Sequence, residues 1–186
     1  MRFILPRREK EKAADGTGTS INGKRKSSIT FETVETLDGD IPMNEKSTNE
    51  GGWDASYLRA KLNGNFFEKQ LPADLKAVIK PVVKITAKSG KNEMLVPSVD
   101  KLFVLSEQEV FGRKIYSCGG EGKWYEWYKR ENTPYGKCKQ NGERDWRWER
   151  SPYSGDTNNF CYVYNDGTAN INSASNSYGV SFGFCI

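Results

Sequence analysis

The seven residues Val180-Ser181-Phe182-Gly183-Phe184-Cys185-Ile186 alternate strictly between large apolar side chains and Ser, Gly or Cys. A period of two belongs to a β-strand, so Val180, Phe182, Phe184 and Ile186 share one face and only small groups occupy the other. The pattern predicts a last strand integral to a sheet, with its apolar face on the core and its small face either tightly packed or more open. A tag appended there would be harmful. Just upstream, Phe160–Tyr164 alternates, Asn165-Asp166-Gly167 is a hairpin turn signal, and Thr168–Ile171 returns.

The earlier chain has a different texture. Ile29–Leu37 is β-branched and Thr-rich, which predicts a strand. Gly51-Gly52 breaks the chain, and Asp54 then stands as N-cap of a helix burying Tyr57, Leu58 and Leu62, ended by Asn63-Gly64. Pro72, at the first helical position, opens a second helix carrying Leu75, Val78 and Ile79, and Pro81 stops it. Strands are predicted at Val82–Thr86, Leu102–Leu105 and Val110-Phe111-Gly112, with no later return of helical periodicity. Cys118–Gly122 opens a stretch holding Trp124, Tyr125, Trp127, Tyr128, Trp146 and Trp148, interrupted by Pro134, Gly136 and Gly142, which reads as long irregular loops packed by rings. The fold class is α+β: two short helices packed on small antiparallel sheets, with long aromatic-rich loops. A chain of 186 residues suits one such domain with an appended arm.

Charge and chemistry narrow the function. Residues 1–28 hold eight basic side chains against three acidic ones, whereas the remainder holds 20 against 21. A folded surface built to neutralise phosphates would carry the excess itself, so nucleic-acid binding is not expected of the body, and the basic residues 7–28 read as a flexible arm or exposed hairpin. The chain has no histidine, which removes the commonest general base and zinc ligand. Its four cysteines, Cys118, Cys138, Cys161 and Cys185, show no C-x-x-C spacing. Three pairings are open to them, and free buried thiols are the expectation for a chain without a secretory leader. Met1–Pro6 is too short for such a leader or a membrane span, so synthesis in the cytoplasm is expected.

Several motifs have both a chemical and a structural reading. Trp148-x-Arg150-Ser151-Pro152 is read as a structural staple, with Arg150 donating to loop carbonyls or a carboxylate. Trp124, Tyr125, Trp127 and Tyr128 are read as core rather than as a sugar-stacking platform. Asp156, Asn158 and Asp166 suggest a cation loop, but Gly167 stands where an EF-hand needs Glu. Glu107 and Glu109 would project from one face of a strand, roughly 7 Å apart, a separation that a glycosidase could use. The segment Tyr153–Tyr178 mixes Tyr, Asn, Ser, Thr, Asp and Gly, as binding surfaces do: Tyr offers contact area at low entropy cost, while Asn and Ser hydrogen-bond adaptably.

Five ordered blocks carry a resemblance. Gly51-Gly52-Trp53-Asp54-x-Ser56-x-Leu58-Arg59, Leu71-Pro72-x-Asp74-Leu75-x-Ala77-Val78-Ile79-Lys80, Leu105-Ser106-Glu107-x-Glu109-Val110-Phe111-Gly112, Trp148-x-Arg150-Ser151-Pro152 and Gly179-Val180-x-Phe182-x-Phe184-Cys185-Ile186 resemble an uncharacterised domain family of gut bacteria and their phages and prophages. That family resembles in turn the C-type-lectin-like fold shared with formylglycine-generating enzymes and retroelement-diversified phage receptor-binding proteins. The copper-binding cysteines of those enzymes are closely spaced, whereas Cys161 and Cys185 lie 24 residues apart, which argues against that chemistry. The resemblance implies a C-type-lectin-like ligand-binding domain over 42–186; residues 1–41, which carry no such match, read from their charge and β-branched pattern as a basic N-terminal arm and strand region.

In function it implies a receptor-binding module of a phage or prophage tail tip, or of a bacterial surface protein, without a cofactor. Its binding face would comprise Tyr153, Asn158, Asn159, Tyr162, Tyr164, Asn170, Asn172, Asn176 and Tyr178, the positions where diversified relatives would vary. The expected partners are a host-cell surface protein or glycan and, through the arm, other tail proteins, with no membrane. Tail-tip proteins are often trimers, yet no heptad repeat encodes one here. The alternative is a carboxylate-dependent, glycan-acting enzyme.

Overall fold

The computed structural model describes Phe3–Ile4, residues 29–130 and residues 135–186; the basic stretch 7–28 and Pro134 lie outside the described residues. In chain order, β1 (Phe3–Ile4), β2 (Thr30–Thr33) and β3 (Ile41–Pro42) precede a helical region of α1 (Tyr57–Lys61), a π turn at Leu62–Phe66, α2 (Phe67–Gln70) and α3 (Ala73–Val78). The hairpin β4 (Val82–Ala87) and β5 (Leu95–Asp100) leads to α4 (Glu107–Phe111). Short β6 (Lys137–Cys138) and β7 (Arg144–Asp145) come before β8 (Arg147–Pro152), β9 (Asn159–Val163), β10 (Ala169–Ser173), β11 (Ser177–Tyr178) and β12 (Gly183–Cys185). Mixed helices and small antiparallel sheets are the α+β class expected. Among the described residues no helix is long and apolar enough to cross a membrane.

The alternating C-terminal segment is strand over Gly183–Cys185, shorter than the Val180–Ile186 its period predicts, although Val180, Phe182 and Ile186 still share backbone hydrogen bonds with residues 29–37. β12 pairs antiparallel with β2, which pairs on its other side with β1, so Thr30–Thr33 belong to the same sheet as the chain's last strand. Phe31 stacks on Phe184 across the pair at 5.3 Å. The free edge of β12 is also used, because Phe103 and Gly183 exchange backbone hydrogen bonds of 3.0 and 2.6 Å and Lys80 donates to the Cys185 carbonyl at 2.8 Å. Val180, Phe182 and Phe184 are buried, and so are Ser181, Gly183 and Cys185, while Ile186 is half-buried. The small face is thus the packed one: a Cβ at Gly183 would sit 2.9 Å from the Phe103 ring.

The helices depart from their sequence-based boundaries for local reasons. Ser56, not Asp54, caps α1, accepting from the Arg59 amide at 3.2 Å, while Asp54 pairs with the Arg59 guanidinium. Asn63-Gly64 does not end the helix. The Asn63 side chain accepts from the Lys101 and Leu102 amides and donates to the Leu102 carbonyl, and this tertiary anchor carries the backbone through a π turn into α2. Pro72 precedes the first turn of α3 rather than entering it, and of the face expected of that helix Ile79 is buried in the core and Leu75 packs against it, while Val78 is 50% exposed.

Two predicted strands are not strands. Leu102–Leu105 is buried without exception, but only Phe103 bridges to a strand. Val110-Phe111-Gly112 ends a helix: Ser106 caps the Glu109 amide, Glu109 reaches back to the Ser106 amide, and Gly112 closes α4 at φ +75°. Of the four rings assigned to the core, Tyr125 and Tyr128 are buried and Trp127 is partly so. Trp124 is 37% exposed, its indole donating to the Val110 carbonyl at 3.0 Å.

Candidate functional site

The predicted hairpin forms, with β9 and β10 joined through Gly167 at φ +93° and β8 on the other side of β9. Its register decides which side chains meet. Asn170 lies opposite Tyr162 and Asn172 opposite Phe160, so by strand alternation Tyr162, Asn170 and Asn172 share one face, and Cys161, Val163 and Ile171 share the other.

The first face carries an array of rings. Tyr178, from β11, stacks on Tyr162 at 4.8 Å and leans on Trp148 at 4.8 Å; Trp146 lies 5.9 Å from both Tyr164 and Tyr178. Amides fix the array at one side. Asn172 donates to the Tyr178 hydroxyl and accepts from Asn176 at 2.8 Å. Burial, with the neighbouring Tyr178 and Tyr164 hydroxyls, pushes the Tyr162 phenol up to about 12, so it remains a neutral hydrogen-bonding group.

The nine predicted site residues do not all belong to this array. Tyr162 is buried and serves as its floor. Tyr164, Asn172 and Tyr178 are half-buried, Asn176 is exposed, and together with Trp146, 37% exposed, they form its accessible part. Asn170 is half-buried on the same face, its side chain accepting from the Ile171 amide. Tyr153, Asn158 and Asn159 lie at or beyond the open end of the hairpin, Asn159 one register position from Asn172 but on the other face. There Tyr153 meets Tyr116 edge-on, and Asp156 accepts from the amides of Asn158 and Asn159 and from the Asn159 side chain. Asp156 and Asp166, the carboxylates of the suggested cation loop, each close their own turn, Asp166 against Thr168. Trp146 was not among the nine; its place in a run of Trp and charged residues gave no sign that it faces outward.

Beneath the array lies a dense ionic scaffold. Arg150 is fully buried and donates to Thr86 Oγ1 (3.1 Å), the carbonyls of Val104 (3.1 Å) and Glu121 (2.5 Å), and both Glu109 carboxylate oxygens (2.5 and 3.0 Å). This is the staple expected of the Trp-x-Arg-Ser-Pro block, and Trp148 completes it by donating to the Ile41 carbonyl at 2.8 Å. Burial alone would raise the Glu109 carboxyl, but Arg150 and Lys84, whose Nζ lies 2.9 Å away, hold it down at about 2. Glu107 and Glu109 therefore sit on a helix rather than on one face of a strand, and both are buried. Glu107 accepts from the amides of Ile115, Tyr116 and Ser117 and from the Ser117 hydroxyl. Burial pushes Glu121 up to about 7, against hydrogen bonds from the Ala87 amide and Ser151.

On the other face of the hairpin, Cys161 meets Glu107 and Glu149, each offering one ligand atom within 4.8 Å of the others. No disulfide joins the four cysteines; Cys161 and Cys185 are buried, Cys118 and Cys138 half-buried.

These features define a small mixed α+β domain whose three-stranded sheet presents an aromatic and amide face over a buried ionic core. Residues 26–186 match the family described as a domain of unknown function (DUF6273), and the chain belongs to that family. The five sequence blocks noted above all fall inside the matched span. No curated protein and no solved structure matches the chain.

Proposed function

We propose that this domain is a ligand-binding module, of the kind carried at a phage or prophage tail tip or on a bacterial surface, and that it engages a host-cell surface glycan or protein. The observation that carries this reading is the accessible cluster of Trp146, Tyr164 and Tyr178 with Asn172 and Asn176 beside it. Large rings already held by neighbours lose little freedom on contact, and flanking amides supply directional hydrogen bonds. The C-type-lectin-like assignment belongs to the same proposal; short helices, small antiparallel sheets and the pairing of β2 with β12 agree with it. Glu107 and Glu109, the candidates of the enzyme alternative, spend their oxygens on backbone amides, Ser117, Arg150 and Lys84, and this favours the binding reading.

The test is binding of the full chain to a glycan array and to intact bacterial cells, repeated with Trp146→Ala and Asn176→Ala. A ring at the centre of an interface contributes about 2 kcal/mol or more, so Trp146→Ala should weaken binding at least tenfold without lowering the melting temperature by more than a few degrees. Unchanged binding by both variants would remove the site from this face. Glycan turnover that is lost in Glu107→Gln while binding persists would replace the proposal with the enzyme.

A further inference from the structure

The buried side of the β9 strand presents Cys161 to two carboxyls that come from separate elements, Glu107 at the start of α4 and Glu149 in β8. Both oxygens of Glu149 are fully buried and have no hydrogen-bond partner. Among the described residues no ion pair reaches Glu149, Glu107 or Glu121: Arg150 is committed to Glu109, and Arg147 faces Glu32 at 3.6 Å. A carboxyl taken out of water without a partner costs several kcal/mol whether it is ionised or not, because a neutral acid also carries a donor and an acceptor to satisfy. The fold nevertheless places this group beside a thiol and a second carboxyl. Glu107 is held rigidly by four donors from the Ile115–Ser117 turn, three on Oε2 and the Tyr116 amide on Oε1, so Oε1 keeps a lone pair for a ligand, as a metal-ligating carboxylate is held by its surroundings.

We propose that Glu107, Glu149 and Cys161 form a buried site for a divalent transition-metal ion of the zinc class. Ligand atoms about 2.0–2.3 Å from a common tetrahedral ion lie about 3.3–3.8 Å apart. The observed group lies within 4.8 Å, so side-chain movements of up to about 1 Å bring all three onto one ion. The thiolate selects a borderline-soft cation over calcium or magnesium, which take oxygen ligands. Binding releases the Cys161 thiol proton, and that of any ligating carboxyl still protonated, to solvent, with no change in oxidation state; the ion adds charge to that of Arg147 and Arg150, whose nearest carboxylates are Glu32 and Glu109. The site is closed to solvent, so the ion is structural: it is acquired as the chain folds and its binding energy adds to stability.

The experiment refolds the full chain with Zn²⁺, with Co²⁺ or with EDTA, and measures metal content after dialysis, melting temperature and near-ultraviolet absorption. The expected result is about one ion per chain, a higher melting temperature with Zn²⁺ than with EDTA, and a thiolate-to-cobalt charge-transfer band. Cys161→Ser should lose that band and Glu149→Gln should lose the bound ion, while Cys118→Ser and Cys138→Ser keep both. Refolded wild-type chain that retains no metal and melts identically in Zn²⁺ and EDTA would overturn the proposal, with no variant needed. A cobalt band that survives in Cys161→Ser but vanishes in Cys118→Ser or Cys138→Ser would overturn it equally.

Discussion

Replacing Arg150 with Met keeps most of the side-chain volume and removes all five of its donated hydrogen bonds. Four groups then bear the loss, Thr86 Oγ1 the least of them because a hydroxyl can turn to another partner. Glu109 keeps Lys84 as its only cationic partner among the described residues, and breaking one side of a buried ion pair costs about 3–5 kcal/mol. The Val104 and Glu121 carbonyls lose a donor each, at about 1–3 kcal/mol for any that finds no replacement. The least of these sums is about 3 kcal/mol, against a total stability of about 5–15 kcal/mol for a domain of ordinary size. Arg150→Lys should fall between, because it restores the charge but cannot reproduce a planar fork that reaches Thr86 and both Glu109 oxygens at once. Urea unfolding at pH 7, followed by tryptophan fluorescence, measures the loss through the midpoint at unchanged slope. The double variant Arg150→Met with Glu109→Leu should cost less than its two singles combined, since it removes the stranded charge. If Arg150→Met costs under about 1 kcal/mol, the guanidinium is not the staple of this fold and the ionic scaffold has been misassigned.

Three further outcomes follow from other groups. Burial, opposed by Glu32, pushes Lys137 down to about 8 from 10.5. From pH 8 to 10 the unfolded chain therefore binds a proton that the folded chain has shed, and stability should rise with pH by up to about 3 kcal/mol in a titration of the urea midpoint; Lys137→Met should flatten that rise. Asn49 is buried and donates to the carbonyls of Asp156 and Asn159 while accepting from the Gly90 amide, so Asn49→Ala should lower the thermal midpoint by an amount equivalent to about 2–4 kcal/mol. Within the array, Tyr178→Ala should destabilise the domain by about 1–3 kcal/mol, because its ring packs on Tyr162 and Trp148, whereas Asn176→Ala should stay within about 0.5 kcal/mol; equal melting temperatures for the two variants would contradict the packing.

The parts of this fold that could be read from the chain are those encoded by local period and turn chemistry. Val180–Ile186 and the Asn165-Asp166-Gly167 hairpin each carry their conformation within a few residues, and the structure follows them. Where a distant group decides, the local signal misleads. Asn63-Gly64 looks like a stop, yet Lys101 and Leu102 bind the Asn63 side chain and carry the helix onward. The α4 helix was encoded locally by Ser106 and Glu109, but its short apolar Val110-Phe111 tail imitates a strand. The aromatic face was partly visible as a Tyr and Asn composition, which cannot distinguish Tyr162, beneath the array, from Trp146, at its edge. The Glu107, Glu149 and Cys161 group has no spacing signature at all, because three separate elements assemble it.

The pairing of β2 with β12 also sets a timetable. Thr30 and Cys185, in contact across that pair, are 155 residues apart. At about 5–20 residues per second, the ribosome delivers the second strand about 8–30 s after the first. Throughout that interval Thr30–Thr33 has an unfilled edge and Phe31 lacks the ring that covers it. Contacts this distant also close the largest loop in the domain, so the sheet forms late and slowly compared with the β9–β10 hairpin. The interval is when the chain is most open to pairing with a neighbour's β2, and a holdase that shields Phe31 would protect it until its final residues emerge.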